Sequence, residues 1–260
     1  MVWTDTLQTF FMLLAVFVSI VLVSQELGLS GIGDLMVKVA DQPYSKIFNW
    51  DWKSGTNFFK QFFSGMFIVI VMTGLDQDMM QKNLTCKNLK DAQKNMFWFT
   101  NILVVVNLIF LALGVLLYMY AESNQITLPE RTDDLYPLLA TSYFSTFAGI
   151  VFVLGITAAA YSSADSTLTA LTTSFCYDFL EIDKNPDKKK ALTIRKTVHL
   201  SFTFLMFIVI LVFRWLNDQS VINAVFLIAG YTYGPLLGLY SFGLFTKYKV
   251  KDRWVPILAV

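Results

Sequence analysis

Several apolar runs in this chain reach the roughly 20 residues that a helix needs to cross the hydrocarbon core of a bilayer. That feature leaves few folds open. In hydrocarbon every backbone N–H and C=O must find its partner inside the protein, so a chain of this kind spans as helices. Runs occupy about residues 7–23, 62–75, 96–120, 144–180, 198–213 and 221–245, and a seventh opens at Trp254. The sequence predicts an all-α integral membrane protein with about six full transmembrane helices and the start of a seventh. Composition agrees: 55% of residues are hydrophobic and 15% charged, against about a quarter charged in soluble domains.

The cations between the runs set the orientation. Lys82, Lys87, Lys90 and Lys94 follow the second run. Lys184, Lys188, Lys189, Lys190, Arg195 and Lys196 follow the fourth, and Lys247, Lys249, Lys251 and Arg253 the sixth. The intervening AESNQITLPERTDDLYP is net acidic. Residues 76–95, 181–197 and 246–253 are therefore expected as cytoplasmic loops. The N-terminus is expected in the cytoplasm, and residues 24–60 as an extracellular loop or interfacial segment containing QPYSKIFNWDWKSG. The whole, 1–260, reads as a single transmembrane domain. WVPILAV is too short to cross, which suggests part of a longer protein. The N-terminus has no basic region or cleavage site of a signal peptide. One histidine, His199, rules out a His-rich metal centre, and Cys86 and Cys176 show no metal or disulfide spacing.

One stretch does not suit hydrocarbon. YSSADSTLTALTTS follows the apolar GIVFVLGITAAA on the same helix. An aspartate at a bilayer centre costs about 2.5–3.5 kcal/mol on insertion scales, so Asp165 should face protein. Ser162, Asp165, Ser166, Thr169 and Thr173 recur at helical spacing, with Ala159 one turn earlier, and form one stripe. Hydroxyl, carboxylate and carbonyl oxygens are what a hard cation takes. The same hydroxyls could instead bond back to their own helix or join helices, and the polar half could project into the cytoplasm. Gly74-Leu75-Asp76-Gln77 reads either as a break in the second span or as an ordinary exit into water. GYTYGP interrupts the sixth span as a kink or hinge.

Several segments resemble the sodium/solute symporter family, relatives of the sodium–glucose cotransporters. VWTDTLQTFFMLL is similar to the start of that family's fifth core helix. GLDQDMMQKNLTCKNLKDAQKNM resembles its aspartate–glutamine motif, AAAYSSADSTLTALTTSFCYDF its eighth helix, and YGPLLGLYSFGLF the end of its tenth. The resemblance implies an inverted repeat of five plus five helices, here incomplete, covering core helices five to ten. It implies a sodium site drawing on the Ala159 carbonyl and the Ser162 and Ser163 hydroxyls. A second ion site in some members would correspond to Asp5, Ser162, Asp165 and Ser166. Met72, Thr73, Asp76 and Gln77 would lie near the solute. Sugar-carrying members place a Tyr-Trp pair where Met72 and Thr73 stand, and a lysine near the apolar Leu103, which argues against hexose recognition by those contacts.

The expected function is sodium-coupled transport of a small organic solute across the plasma membrane. Partners are the solute, the lipid bilayer and the missing N-terminal helices of the same transporter, with no nucleic acid. Na+ is the coupling ion and no cofactor is expected. A non-transporting remnant or sensor of this fold, and proton coupling through Asp165, are the alternatives. An intramembrane enzyme pairing Asp165 with Asp76 or Asp78 lacks a paired motif on adjacent spans, so no enzymatic activity is expected.

Overall fold

The computed structural model describes residues 2–184, 187–216, 221–248 and 254–255 of the chain. Nine α-helices form among them: α1 (Val2–Glu26), α2 (Ile32–Ala40), α3 (Phe58–Gly74), α4 (Gln77–Leu84), α5 (Leu89–Ser123), α6 (Leu135–Ser142), α7 (Thr146–Ser174), α8 (Lys188–Leu216) and α9 (Val221–Phe245). The all-helical architecture is the expected one. Five of these helices, α1, α5, α7, α8 and α9, are long and apolar enough to span a bilayer. The helix over the second run, α3, has 17 residues and is about 25 Å long, short of the roughly 30 Å hydrocarbon core. The expectation of six full spans is thus corrected to five and a shorter one. Most of the final apolar run, and Lys249, Lys251 and Arg253, lie outside the described residues.

Three further boundaries differ. Both α5 and α8 begin well before their apolar runs, because lysine, glutamine and alanine favour helix and let it continue into water. At GYTYGP α9 stays helical with Pro235 inside it, which leaves room for a kink there but not for a break in the helix. Backbone groups at membrane depth have no water to turn to, which holds a helix together around a proline. In the preceding turn the Thr232 hydroxyl donates to the carbonyls of Ile228 and Ala229, at 3.1 and 3.3 Å. Finally, the acidic loop ends in a helix the sequence reading did not separate. Leu135, Leu139 and Ala140 of α6 are all buried.

The described residues fall into two compact units, 1–46 with 93–218, and 47–92 with 219–260. The first has its core where α1, α5 and α6 meet. Val16 and Val23 of α1 pack with Leu113, Leu116, Leu117 and Tyr120 of α5 and with Leu135 and Leu139 of α6. One polar pair is set into this core. The buried Ser19 hydroxyl lies 2.7 Å from the Tyr136 hydroxyl, and the Tyr136 ring meets Phe152 of α7 edge-on, centroids 4.6 Å apart. Each hydroxyl satisfies the other, so neither leaves a buried polar atom without a partner.

The second unit pairs α3 with α9. Asn57, almost fully buried, caps α3 by accepting from the backbone N–H groups of Phe59 and Lys60. Phe48, Trp50 and Phe58 cluster at that end, with ring centroids 5.0–5.8 Å apart. Aromatic rings of this kind suit the level of the lipid headgroups.

At the start of α2 the Asp34 carboxylate accepts from both the hydroxyl and the backbone N–H of Ser30. These bonds, the hydroxyl first, hold its pKa below the ordinary aspartate value, and Lys38 adds slightly to the effect. A depressed carboxylate pKa stabilises the ordered state above the unfolded pKa, and the contribution is lost as pH falls through the folded one. Amide-exchange protection of α2 should therefore be flat above about pH 5 and decline on acidification. Ser30→Ala removes the hydroxyl bond but keeps the backbone one, and should shift that decline upward, toward the ordinary aspartate range.

Candidate functional site

The site is built on the crossing of α1 and α7. Gly155 is buried in α7, and a Cβ placed on it would stand 2.7 Å from the Cβ of Ala15 and 3.2 Å from the Phe11 carbonyl oxygen. Only a residue without a side chain lets the two backbones approach so closely. The same added Cβ would lie 3.6 Å from the Cα of Met12, so Met12 and Gly155 share a level. Farther along, the Ser162 hydroxyl donates to Asp5 Oδ1 at 3.4 Å. Asp5 lies seven residues before Met12 and Ser162 seven after Gly155, so the helices run antiparallel and in register over two turns. Gln8 and Ala159 fall at one level between those two contacts.

At 100° per residue, Gly155, Ala159, Ser162, Ser166, Thr169 and Thr173 lie within about 40° of a single line along α7. The Gly155 and Ser162 contacts turn that line toward α1. Ala159, Ser162 and Ser166 are all partly buried. Asp165 and Ser163 flank the line at about 80° on opposite sides. Asp165 is partly buried and its carboxylate has no hydrogen bond among the described residues, whereas Ser163 is exposed. The Ser163 carbonyl accepts from the Thr167 hydroxyl at 2.8 Å.

A hydroxyl–carboxylate hydrogen bond normally measures about 2.5–3.0 Å, so 3.4 Å is loose. It is also the separation of two oxygens that flank a cation at a right angle with about 2.4 Å to each, the range of calcium–oxygen contacts. One residue of this crossing was not read from the sequence. The Gln8 side-chain oxygen is buried and has no hydrogen-bond partner among the described residues. It sits one turn from Asp5, at the level of Ala159. A buried carbonyl oxygen left unpaired costs about 1–3 kcal/mol, and a cation could satisfy it. Only its three-residue spacing from Asp5 could have drawn attention to it.

The remaining candidates lie in the second unit, where α3 ends and α4 begins. Leu75 closes α3, and Asp76 caps α4 by accepting from the Met79 N–H at 3.0 Å. One helix therefore ends at Gly74 and the next begins at Gln77. The Thr73 hydroxyl bonds back to the Val69 carbonyl at 2.7 Å. Met72, Asp76 and Gln77 are exposed.

Comparison with known proteins gives this geometry a context. The chain is 24% identical over 95% of its length to the sodium/sialic acid symporter NanT of Aliivibrio fischeri, of which it covers 50%. It is 26% identical over 72% of its length to a putative sodium-dependent multivitamin transporter of Drosophila melanogaster, covering 32% of that protein. With the sodium/sialic acid symporter SiaT of Proteus mirabilis it shares 23% identity over 66% of its length, covering 35%. The chain thus spans half or less of these relatives. No solved structure matches it. A family model, that of the sodium:solute symporter family, matches residues 1–251, and the chain belongs to that family.

Proposed function

We propose that this chain forms part of a secondary transporter that uses inward sodium to carry a small organic solute across the plasma membrane. The observation that carries the reading is the Asp5–Ser162 contact, made between helices 157 residues apart in sequence and flanked by the unpaired oxygen of Gln8. In this reading one sodium is held by the Ala159 carbonyl and the Ser162 and Ser163 hydroxyls, with helices beyond this chain completing the shell. A second ion uses Asp5, Ser162, Asp165 and Ser166, and Gln8 adds an amide oxygen. The solute meets the break after α3, near Met72, Thr73, Asp76 and Gln77.

Coupling follows from differential affinity. Each sodium entering down 100 mV supplies about 2.3 kcal/mol, which drives transport only if the ion binds one conformation better than the other. A site shared between α1 and α7 meets that requirement, because any relative shift of the two helices changes its oxygen spacing. The relatives' names make sialic acid the first solute to try.

Uptake of a metabolite panel by the complete gene product, with and without sodium, tests the reading. Sodium should be required for uptake of at least one solute, and Ser163→Ala should abolish that requirement. Sodium-driven uptake that survives Ser163→Ala unchanged would remove Ser163 from the site. A solute driven by a pH gradient in the absence of sodium would replace sodium coupling with proton coupling.

A further inference from the structure

A second feature of α7 has no place in the ion site. Between α7 and α8 lies a cavity of about 390 Å³, lined from α7 by Thr169 and Thr172. From α8 it receives Arg195, Lys196 and His199, with Leu192 and Leu200 at its two ends. These five positions of α8 recur at helical spacing and share one face. No carboxylate lines the cavity. Neither the Arg195 nor the Lys196 side chain makes a hydrogen bond or ion pair among the described residues.

The wall is held in place. The Thr172 hydroxyl donates to the Leu168 carbonyl at 2.6 Å and lies 3.1 Å from His199 Nδ1. With its one hydrogen already committed, the hydroxyl accepts, so Nδ1 carries the ring hydrogen. Phe202, three residues farther on, meets Phe175 edge-on at 5.7 Å. These two contacts fix the α7–α8 pairing that shapes the cavity.

Along α8 the character changes at this level. Before the cavity stand Lys188, Lys189 and Lys190. Beyond it Phe204, Leu205, Phe207 and Ile208 are exposed, an apolar surface of the kind that faces lipid chains. The cavity therefore combines unpaired cations with an apolar continuation, at the height where a spanning helix passes from water to hydrocarbon. A free anion would use the cations and leave the leucines and the apolar surface bare. A lipid with a negative headgroup uses both, as basic pockets between spanning helices do.

We propose that this cavity binds the headgroup of an anionic phospholipid, its phosphate on Arg195 and Lys196 and its chains along Leu200 and Phe204. The proposal is independent of transport and needs no sodium. The test uses the complete gene product, purified in detergent, stripped of lipid and titrated with phosphatidylglycerol or phosphatidylcholine under native mass spectrometry. Phosphatidylglycerol should bind about tenfold tighter. Arg195→Gln with Lys196→Gln should erase that preference, while Lys87→Gln with Lys90→Gln, removing equal charge elsewhere, should keep it. Millimolar inorganic phosphate should not displace the lipid. Equal retention of the two lipids, equal loss in both double variants, or displacement by phosphate alone would each overturn the proposal. The lipid comparison and the phosphate competition use the unaltered chain, so they decide the matter even if a variant folds poorly.

Discussion

Asp5→Asn should raise the sodium concentration for half-maximal uptake by at least about tenfold in the complete transporter, a loss of about 1.4 kcal/mol or more. Asparagine keeps the shape and one oxygen but removes the charge, and hydrogen bonds and ion contacts to a charged oxygen are about twice as strong as neutral ones. The Ser162 hydroxyl meets this carboxylate at 3.4 Å, so the two residues should act as one. Ser162→Ala is expected to weaken sodium in the same direction. Combining the substitutions should cost less than the sum of the two, since neighbours in one network couple by about 0.5–3 kcal/mol. Sodium titrations of solute uptake supply the numbers. A Asp5→Asn transporter with an unaltered sodium response, or strict additivity with Ser162→Ala, would dissociate the two residues from a common ion.

The second large effect is structural. Gly155→Ala places a methyl 2.7 Å from the Ala15 methyl, closer than the two can remain, and 3.2 Å from the Phe11 carbonyl oxygen, a tight contact. Overpacking of this kind costs about 1–3 kcal/mol, and here α1 must move away from α7 to relieve it. The expected result is a lower thermal midpoint together with weakened sodium response, although residue 155 touches no ion in the reading above. Ala15→Gly in the same chain removes the shorter of the two clashes and should restore most of the loss. Phe11 still opposes the new methyl, so the rescue should be incomplete. Thermal unfolding in detergent measures the first effect and sodium-dependent uptake the second. A Gly155→Ala protein with an unchanged midpoint would mean that α1 and α7 are not packed this closely.

Most of the helical architecture could be read from the apolar runs, because crossing hydrocarbon imposes one solution on the backbone. The helical period of Ser162, Ser166, Thr169 and Thr173 could be read in the same way, but Asp165, expected in that stripe, stands about 80° to one side of it. Where two elements must meet, the sequence was silent. Nothing in GIVFVLGITAAA distinguishes Gly155 from the other glycines until Ala15 lies against it. Gln8 looks like any polar residue near the start of a helix, and its buried, unpaired oxygen shows only once the chain is folded. The helix Leu135–Ser142 was hidden because its eight residues are too few to show a period and Pro137 near its start reads as a breaker. Helix ends fall outside the apolar runs where lysine-rich turns extend a span into water, and the helix continues through GYTYGP because a proline that would break a soluble helix is tolerated at membrane depth.

The continuous helical stretch Thr146–Phe179 has 34 residues, about 51 Å at 1.5 Å per residue, while the oily slab it crosses is about 30 Å deep. Either a steep lean or a long overhang must absorb the excess. In both cases Thr169 and Thr173 lie two and three turns beyond Ser162 along α7. A change in bilayer thickness would then alter how far Asp5 and Ser162 lie from the headgroups, so this pair of helices should answer to the acyl-chain length of the lipid around it.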